Sequence, residues 1–426
     1  MIQSARLGLE TIRELIAAED DDIQVDDVEE APGSGRGDNY TSMLYRLNVK
    51  GLRKSSGSSW STCIIYKVLP ESRERRDTYK SEVLFRNEVV FYTKVWPALD
   101  ALQKKVGTPV FDGVAKVYLA RHDLIAMEDL RPKGFRMADR TKGLHVDELE
   151  RVLKALAGFH ALSLTLKDLR PELFARLSGA SNPEEGECVQ EAMFRMENAE
   201  WYRQYYRTAT SNALKMVSEG LPSHLESRRE EVLSKFRAYL DEDSFFQTMC
   251  QLTSTQGPLT VFCHGDCWTN NFLFQDRQDA TDPHAVCLVD FQLTRVGSLA
   301  LDLANLFYCC TSGETRKKFM TQLLQHYHRH LMSALYTLNP AAETTKDPSA
   351  MWNLLIEEMR RCGRFGLGLA LDMLPISTCQ SDQAPDLYEG KQQQADEERS
   401  VLPPAGAECT RLMTELVIEF IDSKAL

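Results

Sequence analysis

No stretch of this 426-residue chain reaches the roughly 18 consecutive apolar residues that cross a bilayer as a helix, so no membrane partner is expected. An excess of positive charge is missing too. Fifty Lys and Arg stand against 62 Asp and Glu, a formal net charge of −12, and without clustered cations a nucleic-acid backbone has nothing to bind. The first residues show neither the basic start nor the apolar core of a signal peptide. The eleven cysteines are an odd, scattered set, which fits reduced, mostly buried thiols and a cytoplasmic protein. Cys263-x-x-x-Cys267 has no second Cys or His pair at zinc-binding distance in sequence, which removes a structural zinc site. There is no internal repeat. At this length several core-forming units fit, and two lobes are the natural division.

Against these absences stands Val261-Phe262-Cys263-His264-Gly265-Asp266-Cys267-Trp268-Thr269-Asn270-Asn271, followed by Val289-Asp290-Phe291-Gln292. Leu259–Cys263 reads as a buried strand, Phe272–Phe274 as its neighbour and Ala285–Val289 as a third, with turn residues over Asp276–Pro283. Polar groups therefore collect at strand ends. Phosphoryl transfer needs an acceptor hydroxyl held, a metal held against phosphates and charge neutralised, and protein kinases divide that work among an HRD-type Asp, a downstream Asn and a DFG-type Asp. By that logic Asp266 is the base, and Asn271 and Asp290 are Mg2+ ligands, a carboxylate and an amide to which phosphate and water oxygens are added. Any one of these residues alone is ordinary turn chemistry; the combination carries the signal.

Upstream, Ser4–Ala18 has the spacing of an amphipathic helix, and Glu19–Glu30 reads as an edge strand with a solvated acidic face. Gly33-Ser34-Gly35-Arg36-Gly37-Asp38-Asn39-Tyr40-Thr41-Ser42 is a glycine-rich turn before the alternating strand Met43, Tyr45, Leu47, Val49, able to bring backbone N–H groups to phosphate or simply to turn the chain. Trp60–Leu69 is a strand with Lys67 among apolar residues, and an ammonium there needs a partner. Glu88, on a helix over Thr78–Val95, is the candidate; together they have the strand-lysine and helix-glutamate logic of kinases. Val114–Ala120 and Leu124–Met127 form a hairpin, and Met127-Glu128-Asp129-Leu130 leaves the sheet after it.

Downstream, Val146–Leu166 is a helix with His160 beside its apolar stripe, read as a packed, hydrogen-bonded core histidine. Arg170–Gln256 is a largely helical insertion, in which Met193, Phe194, Met196, Trp201, Tyr202 and Tyr205 give one helix a Met and aromatic surface, either core or acceptor-lining. Leu299–Cys310 is a helix with Ser298 as N-cap and Asp302 in its first turn. His326 and His330 share a helix face over Phe319–Leu338 and read as surface histidines. Met351–Leu374 is a helix softened by Gly363, Gly366 and Gly368, Thr378–Glu408 a mobile loop, and Cys409–Ile421 a closing helix.

The form His-Gly-Asp-x-Trp-x-x-Asn-x-x-Phe with Asp-Phe-Gln after it resembles the ecdysteroid kinase-like (CHK kinase-like) family, of the choline and aminoglycoside kinase-like branch of the protein-kinase fold. Gly-Asp-Asn-Tyr-Thr-Ser resembles that family's Gly-Glu-Asn-Tyr-x-Ser, Met127-Glu128-Asp129-Leu130 its Leu-Glu-Asp-Leu with Met for the first Leu, and Asp302-Leu303 its Asp-Leu pair, with Asp302 a support for the catalytic loop. The resemblance runs from about Asp38 to Leu374. It implies an α+β, bilobal protein-kinase-like fold: a small β-rich ATP-binding lobe over 1–130, and a larger, mostly helical lobe over 131–426 that carries the catalytic loops and the insertion 170–256. It further implies ATP and Mg2+ as cofactors, with Gly37, Asn39, Ser42, Lys67, Glu88, Glu128 and Leu130 around the nucleotide and main-chain groups meeting adenine. The partner of ATP would be a small hydroxylated acceptor, an ecdysteroid or a related steroid or plant alcohol. A nucleotide-binding pseudokinase or non-catalytic binder is the rival class. A protein kinase is disfavoured because HRD, G-x-G-x-x-G and Ala-Pro-Glu are all absent.

Overall fold

Period-two alternation builds the first lobe. Strands β1 (Ile23–Pro32), β2 (Met43–Arg53), β3 (Ser59–Val68), β4 (Val117–Arg121) and β5 (Leu124–Glu128) form an antiparallel sheet in the order β1-β2-β3-β5-β4. Ile64, Tyr66 and Val68 of β3 join Leu47, Val49, Leu124 and Ala126 in a small core, closed by Ile12 and Ile16 of helix α1 (Leu9–Glu19). The alternate residues Ile65 and Lys67 face the other way, as the pleat requires, toward the rest of the molecule. The sheet is seen in a computed structural model, which describes residues 6–33, 42–70, 72–78, 80–181, 186–276, 285–380 and 406–426. Gly37, Asn39, most of the Asp276–Pro283 turn and nearly all of the loop expected over Thr378–Glu408 lie outside the described residues.

The single helix expected over Thr78–Val95 is built in pieces. Helix α2 (Arg73–Thr78) precedes α3 (Ser81–Val90), and Lys80, with φ of 50°, is the left-handed residue between them. A π turn over Phe91–Val95 then leads into α4 (Trp96–Val106). The wider turn shifts the helical register by about one residue, so Phe91, Tyr92 and Val95 are all buried.

After Leu130 the chain leaves the first sheet. Strand β6 (Phe135–Met137) pairs with β8 (Phe272–Gln275), which pairs with β9 (Val286–Leu288). The strand expected over Leu259–Cys263 appears as β7 (Thr260–Cys263), but its partner is not Phe272–Phe274. It pairs antiparallel with β10 (Arg295–Ser298), an element the sequence reading did not contain. Its four residues include an Arg, a Gly and a Ser, too short and polar a run to give a strand signal.

Helix α5 (Val146–Leu169) is set by a capping box between His145 and Glu148 and buries a broad face. The insertion contributes α6 (Pro171–Leu177), α7 (Ala199–Gly220), α8 (Arg229–Tyr239) and α9 (Glu242–Ser254). Met193 and Phe194 precede α7 rather than lying on it, so the Met and aromatic residues do not share one helix. Phe194 and Tyr202 are buried, whereas Met196 is exposed. Helix α10 (Leu299–Cys310) is capped by the Ser298 hydroxyl, as expected, and is buried nearly all round. It is followed by α11 (Gly313–Leu338), α12 (Ala342–Thr345), α13 (Pro348–Thr378) and α14 (Ala407–Asp422). Gly366 does not soften α13. A Cβ there would lie 2.5 Å from the Ala304 carbonyl oxygen, so the missing side chain permits the close approach of α13 to α10. Helix α14 docks on α7 and α13. Among the described residues no helix is long and apolar enough to cross a membrane, and all eleven cysteines are free thiols.

Candidate active site

Lys67 points off the inner face of β3 and is 3% exposed. Its Nζ lies 2.7 Å from Glu88 Oε2 on α3 and 2.7 Å from Asp290 Oδ1, with Gln292 Oε1 at 3.5 Å. Residues distant in sequence thus share one ammonium. Burial works against the Lys67 charge, but the Asp290 and Glu88 carboxylates outweigh it and hold the group above the usual lysine range. Glu88 shifts in the opposite sense for stability: burial, only partly offset by Lys67, raises its carboxyl. The ammonium has two carboxylates set against burial, while Glu88 must share its one cation with Asp290.

Asp290 ends the run after β9 with φ of 65° and ψ of 67°, a left-handed conformation uncommon for a residue with a side chain. The turn seats Phe291 on Phe91 of the π turn, ring centroids 3.7 Å apart and nearly parallel. Asp290 Oδ2 has no hydrogen-bond partner among the described residues.

The second turn follows β7. Gly265 has φ of 87°, and a Cβ there would fall 1.8 Å from the Leu293 carbonyl oxygen, so only glycine fits. The Asp302 carboxylate receives the His264 N–H at 2.7 Å and the Gly265 N–H at 2.9 Å. Asp302 is itself bonded to His160 Nε2 at 3.1 Å, and His160 Nδ1 meets the Tyr327 hydroxyl at 2.8 Å. His160 is therefore a hydrogen-bonded core histidine, as expected, and it also braces the aspartate under the turn. Burial raises the Asp302 carboxyl, and the hydrogen bonds it makes with His160 and the Gly265 N–H help outweigh that, so that it lies below the usual range.

His264 Nε2 donates to the Val289 carbonyl at 2.9 Å while Nδ1 accepts the Asp266 N–H at 3.2 Å. This pattern assigns a neutral imidazole, in agreement with the lowering of its pKa by burial. The Asn271 amide nitrogen donates to the Asp266 carbonyl at 3.0 Å and to Asp266 Oδ2 at 2.9 Å. That orientation leaves the Asn271 carbonyl oxygen free as a ligand atom. Burial, then the nearby charge of Asp290, pushes the Asp266 carboxyl up to about 7, although the side chain still reaches solvent. Asp266 and Asn271 on one turn and Asp290, bonded to Lys67, on the next thus offer two carboxylates and an amide oxygen, a donor set of the hard oxygen type that suits Mg2+.

Ser42 is buried at the start of β2. The Glu128 carboxylate accepts from the Lys116 N–H and from Lys133, so its side chain braces the strand exit. The N–H groups of Glu128 and Asp129 are taken by Lys116 and Cys63 carbonyls. The Leu130 N–H makes no hydrogen bond among the described residues, which leaves it as the open donor at that exit. Sequence reasoning missed Asn87, Glu191 and Arg295. Asn87 bridges α3 to Gln190 in both directions, at 2.7 and 2.9 Å, and reaches the Thr294 carbonyl at 2.9 Å. Polar residues beside a motif are common, and only the fold distinguishes these.

Two cavities lie elsewhere. One of about 890 Å³, lined by residues such as Leu252, Tyr308, Met320, Arg360 and Phe420, shares no lining residue with the two turns. The other, of about 220 Å³, lies between α7 and α9 and is lined by Met196, Tyr202, Tyr206, Phe245 and Phe246. Among the described residues no three His, Cys, Asp or Glu side chains form a ready-made metal cluster, His326 and His330 included.

The ecdysteroid kinase-like family model matches residues 36–340, well over half of the chain. This chain belongs to the ecdysteroid kinase-like family. The family is one of small-molecule kinases, and its bilobal α+β architecture is the one described above. Among solved structures, a Plasmodium vivax ethanolamine kinase is 13% identical, with 94% of this chain and 84% of that chain covered and a TM-score of 0.43. The GDP complex of wild-type aminoglycoside 2'-phosphotransferase-IIIa is 13% identical, with 83% and 98% covered and a TM-score of 0.34. Neither likeness is close enough to bear on the acceptor of this family member. A curated relative from Caenorhabditis elegans, described as "Uncharacterized oxidoreductase dhs-27", is 24% identical over 136 residues, 31% of this chain and 16% of the relative. The match spans less than a fifth of that relative's length.

Proposed function

We propose that this protein transfers the γ-phosphoryl group of ATP to a hydroxyl of a lipophilic small molecule, an ecdysteroid or a related steroid or plant alcohol. The observation that carries the reading is the convergence of Asp266, Asn271, Asp290 and the Lys67–Glu88 pair. Lys67 holds donor phosphates and Glu88 holds Lys67. Asn271 Oδ1 and Asp290 Oδ2 would hold Mg2+, which when bound neutralises phosphate charge. Asp266 orients the acceptor hydroxyl and takes its proton as the oxygen attacks phosphorus. Ser42, the Leu130 N–H, the Glu128 exit and the glycine-rich turn with Gly37 and Asn39 would border the nucleotide between lobes divided at Leu130.

The lipophilic acceptor is what the ecdysteroid kinase-like family suggests; the aromatic cavity between α7 and α9 shares no lining residue with the Asp266 turn and does not bear on it. Free thiols throughout suit a reducing compartment such as the cytoplasm. A non-catalytic binder is disfavoured because it has no use for Asp266. The test is incubation with Mg-ATP and ecdysone, with the product read by mass: gain of one phosphate, lost in Asp266→Asn, is expected. Nucleotide binding with no transfer to any steroid or plant alcohol would favour the binder.

A further inference from the structure

Arg295 opens β10 at the position paired with Cys263, directly before the Asp266 turn. It is 2% exposed, and a buried guanidinium is costly unless paired. Its Nε lies 2.7 Å from Glu191 Oε2 and its Nη1 donates to the Gly265 carbonyl at 3.2 Å. Its central carbon sits 5.6 Å from the Phe194 ring centre and 5.3 Å from that of Phe365. The other Glu191 oxygen accepts the Met193 and Phe194 N–H groups, each at 2.9 Å. Glycine 265 is thereby held from both ends, its N–H by Asp302 and its carbonyl by Arg295.

Building on the reading of Asp266 as the base, we propose that Arg295 is a positioning residue for phosphoryl transfer: it fixes the peptide that aims Asp266, and through Glu191 it fastens the turn to the segment leading into α7. Chemistry at the turn is then coupled to the acceptor-side insertion by one ion pair.

Arg295→Met with Glu191→Gln removes the pair together and leaves no lone buried charge; amide hydrogen exchange read by mass on the full chain should then quicken in the peptide spanning the Gly265 turn and in the segment leading into α7, and kcat for phosphate transfer to ecdysone should fall at least about tenfold with KM for ATP little changed. Arg295→Lys, which keeps a cation opposite Glu191, should recover part of both effects. Unaltered exchange at the Gly265 turn together with unaltered kcat in the folded double variant overturns the role of Arg295; should the double variant fail to fold, unaltered exchange and kcat in Arg295→Lys combined with Glu191→Gln overturn it. Near wild-type phosphate transfer by Asp266→Asn would instead overturn the base assignment, whatever the exchange shows.

Discussion

Replacing Asp266 by Asn should make the protein slower and more stable at once. The Asp266 carboxyl, ordinarily near 3.8, is pushed up to about 7 in the folded chain, so between roughly pH 4 and pH 7 the folded form holds a proton that the unfolded form has lost. Stability therefore falls as pH rises through that window and levels off above it. The full shift corresponds to about 4 kcal/mol at ~1.4 kcal/mol per unit. Because the side chain reaches solvent, screening reduces the expected cost to roughly 1–2 kcal/mol. An amide at 266 can still accept from Asn271 and never ionises. Asp266→Asn should then be about 1–2 kcal/mol more stable than the parent at about pH 8 without Mg-ATP, with a smaller difference at about pH 5. Turnover should drop by roughly 10² to 10⁴, the usual share of a general base. Urea unfolding at both pH values, beside phosphate transfer to ecdysone, measures the two effects. A variant less stable at every pH, or a difference that does not grow between the two, would refute the electrostatic reasoning; unreduced turnover would refute the role.

Other expectations concern neighbouring groups. Asp290→Ala should weaken Mg-ATP binding more than Asn271→Ala, because it removes a full charge facing the cation; calorimetry with unaltered affinity in both would move the metal elsewhere. Lys67→Met should raise KM for ATP and lower kcat, with a smaller effect of the same kind for Glu88→Gln, and normal steady-state constants in either would leave the pair without a role. Gly265→Ala should cost at least about 2 kcal/mol in thermal or urea unfolding, since neither the left-handed backbone nor the Leu293 carbonyl admits a side chain; wild-type stability would contradict the geometry. In competition, steroids should be phosphorylated with higher kcat/KM than choline or an aminoglycoside, and the reverse order would remove the apolar-acceptor reading alone.

What the sequence made legible followed from local physics. Alternation located β2, β3 and the β4–β5 hairpin, helical stripes located α5 and α10, and the kinase-like motif pattern grouped Lys67, Glu88, Asp266, Asn271 and Asp290 as candidates, of which Lys67, Glu88 and Asp290 are joined by hydrogen bonds. The failures have equally physical causes. The π turn at Phe91–Val95 is invisible to a fixed helical period, and β10 is too short and polar to announce itself. Arg295 and Asn87 are meaningful only through carbonyls that the tertiary fold delivers. His160 shows the middle case: its burial was readable, but the aspartate and tyrosine it joins lie 142 and 167 residues away.

The acidic face of β1 bears on how the chain behaves in company. β1 is an outer strand of the five-stranded sheet, so among the described residues one row of its main-chain groups has no neighbouring strand and is a template for another chain. Asp26, Asp27, Glu29 and Glu30 are exposed along it, and a second copy approaching in register would set like charges against one another. Edge-to-edge pairing of two copies through this strand should therefore be disfavoured, and less so in strong salt or when those carboxylates are neutralised.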